Sequence, residues 1–178
     1  MTTTWLTWPY IHLLINHFPV VLATAGLVAV ILALILRRRG LWLYAMGTLA
    51  AAGATVYPVR FTGDEADDAL HDPWYITKGV IDAHKDASLW ALYCLLLVGI
   101  VSAYGLWRAL KRPQEEIPGW LRAAVFIGAL LGFSTVARTA YLGGKIIHEA
   151  PILNMPQPPA NLPPGIATVP DSSPGNQH

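Results

Sequence analysis

Histidine is the residue whose placement suggests chemistry in this sequence. Five of the six, His12, His17, His71, His84 and His148, flank long apolar segments or lie in the connection between the second and third of them. Imidazole offers a neutral nitrogen donor near physiological pH, and histidines brought from separate helices to one depth are what a haem or metal site requires. His17 opens the first apolar run, His84 precedes the third by one turn, and His148 follows the fourth. In an up-and-down bundle the first and third helices face each other diagonally, so His17 and His84 are the expected axial pair across a haem plane. His12 stands five residues before His17, about 140° round a regular helix, and the two therefore point different ways. With His148, His12 is left to ligate a second haem or a transition-metal ion, or to support the first site by hydrogen bonding. The competing expectation for each histidine is an amphipathic ring resting at a membrane interface without a ligand. His71, in an acidic connection, takes that reading.

Two arginines belong to the same group. Arg138 interrupts an otherwise apolar helix, where an ionisable side chain is costly enough to mark function and to demand a partner inside the bundle. Arg60 ends the second apolar run at comparable depth. Both suit haem propionates or a substrate carboxylate; the alternative is a structural ion network with Asp64, Glu65, Asp67 or Asp68. The stretch 61–68 reads as a turn in which Thr62 or Asp64 caps a short acidic helix. Its acids suit docking of a basic soluble electron carrier better than a calcium loop, whose ligand spacing is missing. Tyr10, Asn16, Tyr57 and Tyr141 add polar groups that fit either a small-molecule pocket or an interfacial belt. No serine-hydrolase, zinc-protease or phosphate-loop motif occurs, and Cys94 has no second cysteine, which excludes an intrachain disulfide.

The elements that must hold these residues are membrane helices. The chain has 178 residues, 54% apolar and 13% charged, with mean hydropathy +0.43, a balance foreign to a soluble domain. Four stretches, about 18–36, 41–59, 86–107 and 120–142, reach the roughly 20 residues that a bilayer requires. The second is rich in Ala and Gly, as close helix packing in lipid demands. The expected fold is all-α: an integral membrane antiparallel four-helix bundle over residues 1–150, followed by a proline-rich extended tail over 151–178. Arg37, Arg38, Arg39, Arg108, Lys111, Arg112 and Arg122 crowd the first and third connections, which the positive-inside rule places in the cytoplasm, with both termini outside. Trp42, Trp107 and Trp120 then mark the inner interface, and Trp5, Trp8 and Trp74 the outer. Pro19 is expected to break the first helix beside His17, and Gly143-Gly144 to end or bend the fourth before His148. The tail, with eight prolines from Pro151 on, forms no core. No basic stripe points to nucleic acid, and no internal repeat is visible in the letters.

Four motifs in order carry a resemblance: His12-Leu13-Leu14-Ile15-Asn16-His17-Phe18-Pro19, Tyr57-Pro58-Val59-Arg60-Phe61-Thr62-Gly63, Ile81-Asp82-Ala83-His84-Lys85-Asp86-Ala87, and Ala137-Arg138-Thr139-Ala140-Tyr141-Leu142-Gly143-Gly144-Lys145-Ile146-Ile147-His148. Over about residues 10–150 the chain resembles a family of bacterial four-helix predicted membrane proteins without a settled activity. Lys85 and the pair Glu149-Ala150 after His148 depart from that pattern, where an acid and a proline-acid pair are usual. The resemblance implies an inner-membrane protein with a shared site at the periplasmic face, and leaves its occupant open. The expected function is a b-type cytochrome-like electron-transfer subunit, holding one haem b or two, within a larger respiratory or photosynthetic complex and next to other membrane subunits. The rival expectations are a non-haem copper, zinc or iron site built on His12, His17, His84 and His148, and a cofactor-free subunit that braces an assembly.

Overall fold

The computed structural model describes residues 7–70 and 78–149, and all of the regular structure among them is helical. The segment around His71 and the proline-rich tail with His178 lie outside the described residues. Five helices follow in order: α1 Trp8–Ile15, α2 His17–Leu36, α3 Arg39–Leu70, α4 Lys78–Lys111 and α5 Gly119–Glu149.

The division between α1 and α2 has a covalent cause. Pro19 lacks an N–H for the carbonyl of Ile15, and its ring crowds that same carbonyl, so the helix yields on the N-terminal side of the proline. Asn16 sits at the break in a helical conformation, its own N–H bonded to the carbonyl of His12. At the other end of α2, Arg37 takes a left-handed conformation (φ 52°) and turns the chain directly into α3.

α2 packs on α3 and α5, and α4 packs on α3 and α5, which closes a ring of four with α2 and α4 on a diagonal. α1 leans chiefly on α3. The shared core is built from small and aliphatic side chains, among them Ala23, Val30, Ala45, Met46, Leu49, Leu95, Val98, Leu121 and Val125. α3 and α4 touch through backbone: a Cβ added at Gly53 would lie 2.8 Å from the carbonyl oxygen of Leu95 and 2.9 Å from the Cα of Gly99. This is the close approach that small residues permit.

Three helical segments, Trp8–Leu36, Gly79–Lys111 and Gly119–Ile146, are long and apolar enough to cross a membrane. α3 is not among them, because its Ala, Gly and Thr content serves helix contact more than apolarity. The outer surface of the bundle carries large apolar side chains such as Val21, Ile35, Leu97 and Ile100, a surface compatible with lipid contact.

The arginine-rich end is gathered by Arg39. Its guanidinium donates to the carbonyls of Glu115 (2.6 Å), Ala109 (2.7 Å) and Arg112 (3.3 Å). Arg108 and Arg112 both pair with Glu115 in the connection to α5. Tyr104, Trp107 and Trp120 cluster at this end, with Tyr104 6.1 Å from Trp107 and 6.5 Å from Trp120 between centroids. Trp42, expected with them at an interface, is instead 4% exposed and belongs to the core.

Two helix ends differ from expectation. α3 continues through Pro58 and Gly63 to Leu70 instead of stopping near Pro58. Thr62 therefore caps nothing: its hydroxyl donates to the carbonyl of Val59 at 3.0 Å, inside the helix. α5 likewise passes through Gly143-Gly144 to Glu149. A glycine pair weakens a helix without ending it when neighbouring helices hold it in place.

Candidate functional site

The end opposite the arginines contains the first two histidine positions of interest, His12 and His84, in matching surroundings. The α1 helix is held against α3 by an edge-to-face contact between Trp8 and Phe61, centroids 5.9 Å apart at 89°. One turn after Trp8, His12 is half-buried and its Nδ1 lies 3.1 Å from the carbonyl oxygen of Val59 and 3.2 Å from Thr62 Oγ1. The ring rests on Gly63, where an added Cβ would stand 3.0 Å from Cε1.

His84 repeats this arrangement on α5. Its Nδ1 lies 3.0 Å from the carbonyl oxygen of Thr139. The ring rests on Gly143, where an added Cβ would again stand 3.0 Å from Cε1. In both cases the acceptor carbonyl precedes the supporting glycine by four residues, one helical turn. The halves α1–α2–α3 and α4–α5 thus share one local device.

The hydrogen bonds fix the tautomer. A carbonyl oxygen can only accept, so Nδ1 of each ring carries the proton and donates it, which leaves the lone pair of a neutral imidazole on Nε2. No hydrogen bond to either Nε2 occurs among the described residues. Backbone-anchored Nδ1–H with free Nε2 is the arrangement that orients histidine as a ligand and raises its basicity.

Arg60 stands between the two histidine supports. It follows Val59 on α3, and its guanidinium donates to Ser88 Oγ at 3.0 Å, one turn beyond His84 on α4. The same group pairs with Asp64 at 3.0 Å. Both His12 and Arg60 lie within coulombic reach of His84, and Asp64 within reach of His12. Lys85 adds a second tie from α4 to α3 through Asp67, at 2.7 Å. Of the acids named for Arg60, Asp64 is its partner, and Asp64 and Asp67 are both neutralised by cations.

The other expected site residues lie elsewhere. His17 is exposed on α2, so the His17–His84 pairing is not assembled: the break at Asn16 leaves His12, and not His17, turned against a neighbouring helix. Arg138 is also exposed and lines a cleft on the outer side of α4 and α5. The expectation of an Arg138 inside the bundle is not met: its side chain is exposed and lies along the α4–α5 cleft with Asp86 and Trp90. His148 falls within α5, but its side chain lies outside the described residues. Tyr10, Tyr57 and Tyr141 are exposed on the surface, as an interfacial belt requires. Asn16 Oδ1 is buried without a hydrogen-bond partner among the described residues.

Sequence reading missed the two carbonyl–glycine supports. The signal was present as Val59 with Gly63 and Thr139 with Gly143, a four-residue spacing in the terminal part of each returning helix. Among the described residues no group of three or more His, Cys, Asp or Glu side chains converges as a metal site. No family model, curated protein or solved structure matches the chain.

Proposed function

We propose that this chain is a membrane-embedded, antiparallel four-helix electron-transfer subunit of the b-type cytochrome kind, with His12 and His84 as the two axial ligands. The observation that carries the reading is the shared state of the two rings: each is tautomerically fixed through Nδ1 and presents an unengaged Nε2. A pair of such donors from separate helices, α1 and α4, is the donor set that a bis-histidine haem would use, whereas a non-haem metal centre needs further ligands that the described residues do not bring together.

When bound, the haem supplies reversible one-electron transfer; the chain's own residues determine how it is held. Val59 and Thr139 fix ring orientation through their carbonyls, while Gly63 and Gly143 allow the rings to lie flat against the neighbouring helices. Arg60 places positive charge within reach of His84. Its guanidinium is committed to Asp64 and Ser88, so its effect on the site is that of a fixed field. The acidic end of α3, with Glu65 and Asp68 outside the ion pairs described above, supplies negative charge that would suit a basic soluble carrier.

The reading is tested by purifying the full chain in mild detergent and recording reduced-minus-oxidised absorbance, with metal analysis of the same sample. Sharp haem b bands are expected, lost in His12→Ala and His84→Ala and kept in His17→Ala. Full haem content in both of the first two variants overturns the ligand assignment. Absence of haem together with absence of a stoichiometric metal points to a cofactor-free bracing subunit.

A further inference from the structure

The outer side of α4 and α5 forms a cleft of about 520 Å³, lined by Ala83, Asp86, Ala87 and Trp90 of α4 and by Thr135 and Arg138 of α5. The α4 residues fall at successive helical turns, so they form one stripe. Two opposite charges line this cleft, yet Asp86 and Arg138 are not an ion pair, and neither has one with another described residue. Thr135 spends its hydroxyl on the carbonyls of Leu131 and Gly132. Trp90 presents an indole face that is 67% exposed.

Depth limits what can enter. Residues 87–107 carry no charge and at 1.5 Å per residue span about 30 Å, the thickness of the hydrocarbon layer. Asp86 therefore stands at the edge of that layer, Arg138 faces it across the cleft, and Trp90 lies one turn deeper. An exposed guanidinium at this level requires an anion, and an exposed carboxylate requires a cation. A ligand that carries both on a short tether, with an apolar body, satisfies the two at once.

We infer that the α4–α5 cleft is a binding site for a zwitterionic phospholipid bearing a primary ammonium, of the phosphatidylethanolamine type. Its phosphate takes the Arg138 guanidinium in the bidentate fashion favoured by that pair. Its ammonium donates N–H bonds to the Asp86 carboxylate, and its glycerol and acyl chains lie along Trp90, Ala87 and Ala83. A phosphatidylcholine offers Asp86 no N–H donor, and a phosphatidylglycerol meets it with no cation. The inference rests on the membrane part of the proposed function and is independent of haem.

The test is native mass spectrometry of the full chain, purified in mild detergent and exposed to an equimolar mixture of phosphatidylethanolamine, phosphatidylcholine and phosphatidylglycerol with identical acyl chains. The wild-type protein is expected to retain one phosphatidylethanolamine about tenfold in preference to either competitor, a difference of roughly 1.4 kcal/mol. Asp86→Asn brings its retention down to the phosphatidylcholine level, Arg138→Gln removes retention of all three, and Arg138→Lys restores part of it. Equal retention of the three lipids by wild type overturns the assignment, and this comparison needs no variant to fold. So does unchanged preference in Asp86→Asn and Arg138→Gln, or equally effective competition by water-soluble glycerophosphoethanolamine. A chain recovered from cells without detergent would instead overturn the membrane reading itself.

Discussion

His12 and His84 are held alike: each donates Nδ1–H to a carbonyl on a neighbouring long helix, α3 for His12 and α5 for His84, and lies against a glycine one turn further along it. Because this support is built from backbone, no side-chain substitution at Val59 or Thr139 removes the acceptor. The glycines are the sensitive positions.

Gly63→Ala and Gly143→Ala each place a methyl carbon 3.0 Å from an imidazole Cε1. The ring must shift by a few tenths of an ångström, or the helices must part, at a cost of about 1–3 kcal/mol. Each variant is expected to fold with unchanged helix content by circular dichroism while losing or broadening the reduced haem bands. Wild-type spectra in both variants would show that ring placement against the glycines does not govern the site.

The two histidines also differ from His17 in a way that binding alone can report. His17 is exposed at the start of α2, so His17→Ala is expected to leave haem content and thermal stability within about 0.5 kcal/mol of wild type. Loss of haem in this variant, measured by pyridine haemochrome after purification, would return the ligand role to His17.

Much of this arrangement was readable from residue order, and the parts that were not share a cause. Apolar runs and arginine clusters set the helices and the grouping of their ends, and Pro19 located the break. The facing of individual side chains was not readable, since it depends on helix rotation. The cost of charge in lipid argues for an inward Arg138, yet the helix presents that side chain to the α4–α5 cleft. His17 was preferred to His12 because it begins the longer run, although the break at Asn16 gives α1 its own direction. Pro58 argues for a helix end and 61–68 for a turn; packing of α3 among its neighbours outweighs both.

The contact between α3 and α4 is a backbone contact at Gly53 and Gly99, and it sets the distance between the Val59 support and the helix bearing His84. A methyl at Gly53 would meet the Leu95 carbonyl at 2.8 Å and the Gly99 Cα at 2.9 Å, and neither is a flexible side-chain end. Gly53→Ala is therefore expected to lower stability by about 1–3 kcal/mol, seen as a fall in the thermal midpoint in detergent. An unchanged midpoint would mean that the two helices do not pack this closely.

Arg60 ties that same seam at the level of the histidines. Arg60→Gln deletes the ion pair with Asp64 and weakens the link to Ser88. The pair is partly exposed, so its loss is expected to cost only about 1 kcal/mol of stability. The larger consequence is electrostatic. With a haem held at His84 as proposed, removing a fixed positive charge beside that histidine would favour the oxidised form, which has the higher charge, and the midpoint potential should fall. Ser88→Ala, which keeps the charge and removes a hydroxyl that accepts from Arg60 and donates to the carbonyl of Lys85, should move the potential much less. Spectroelectrochemical titration of the two variants separates these effects: a potential unchanged in Arg60→Gln would place the haem out of reach of this guanidinium and therefore away from His84.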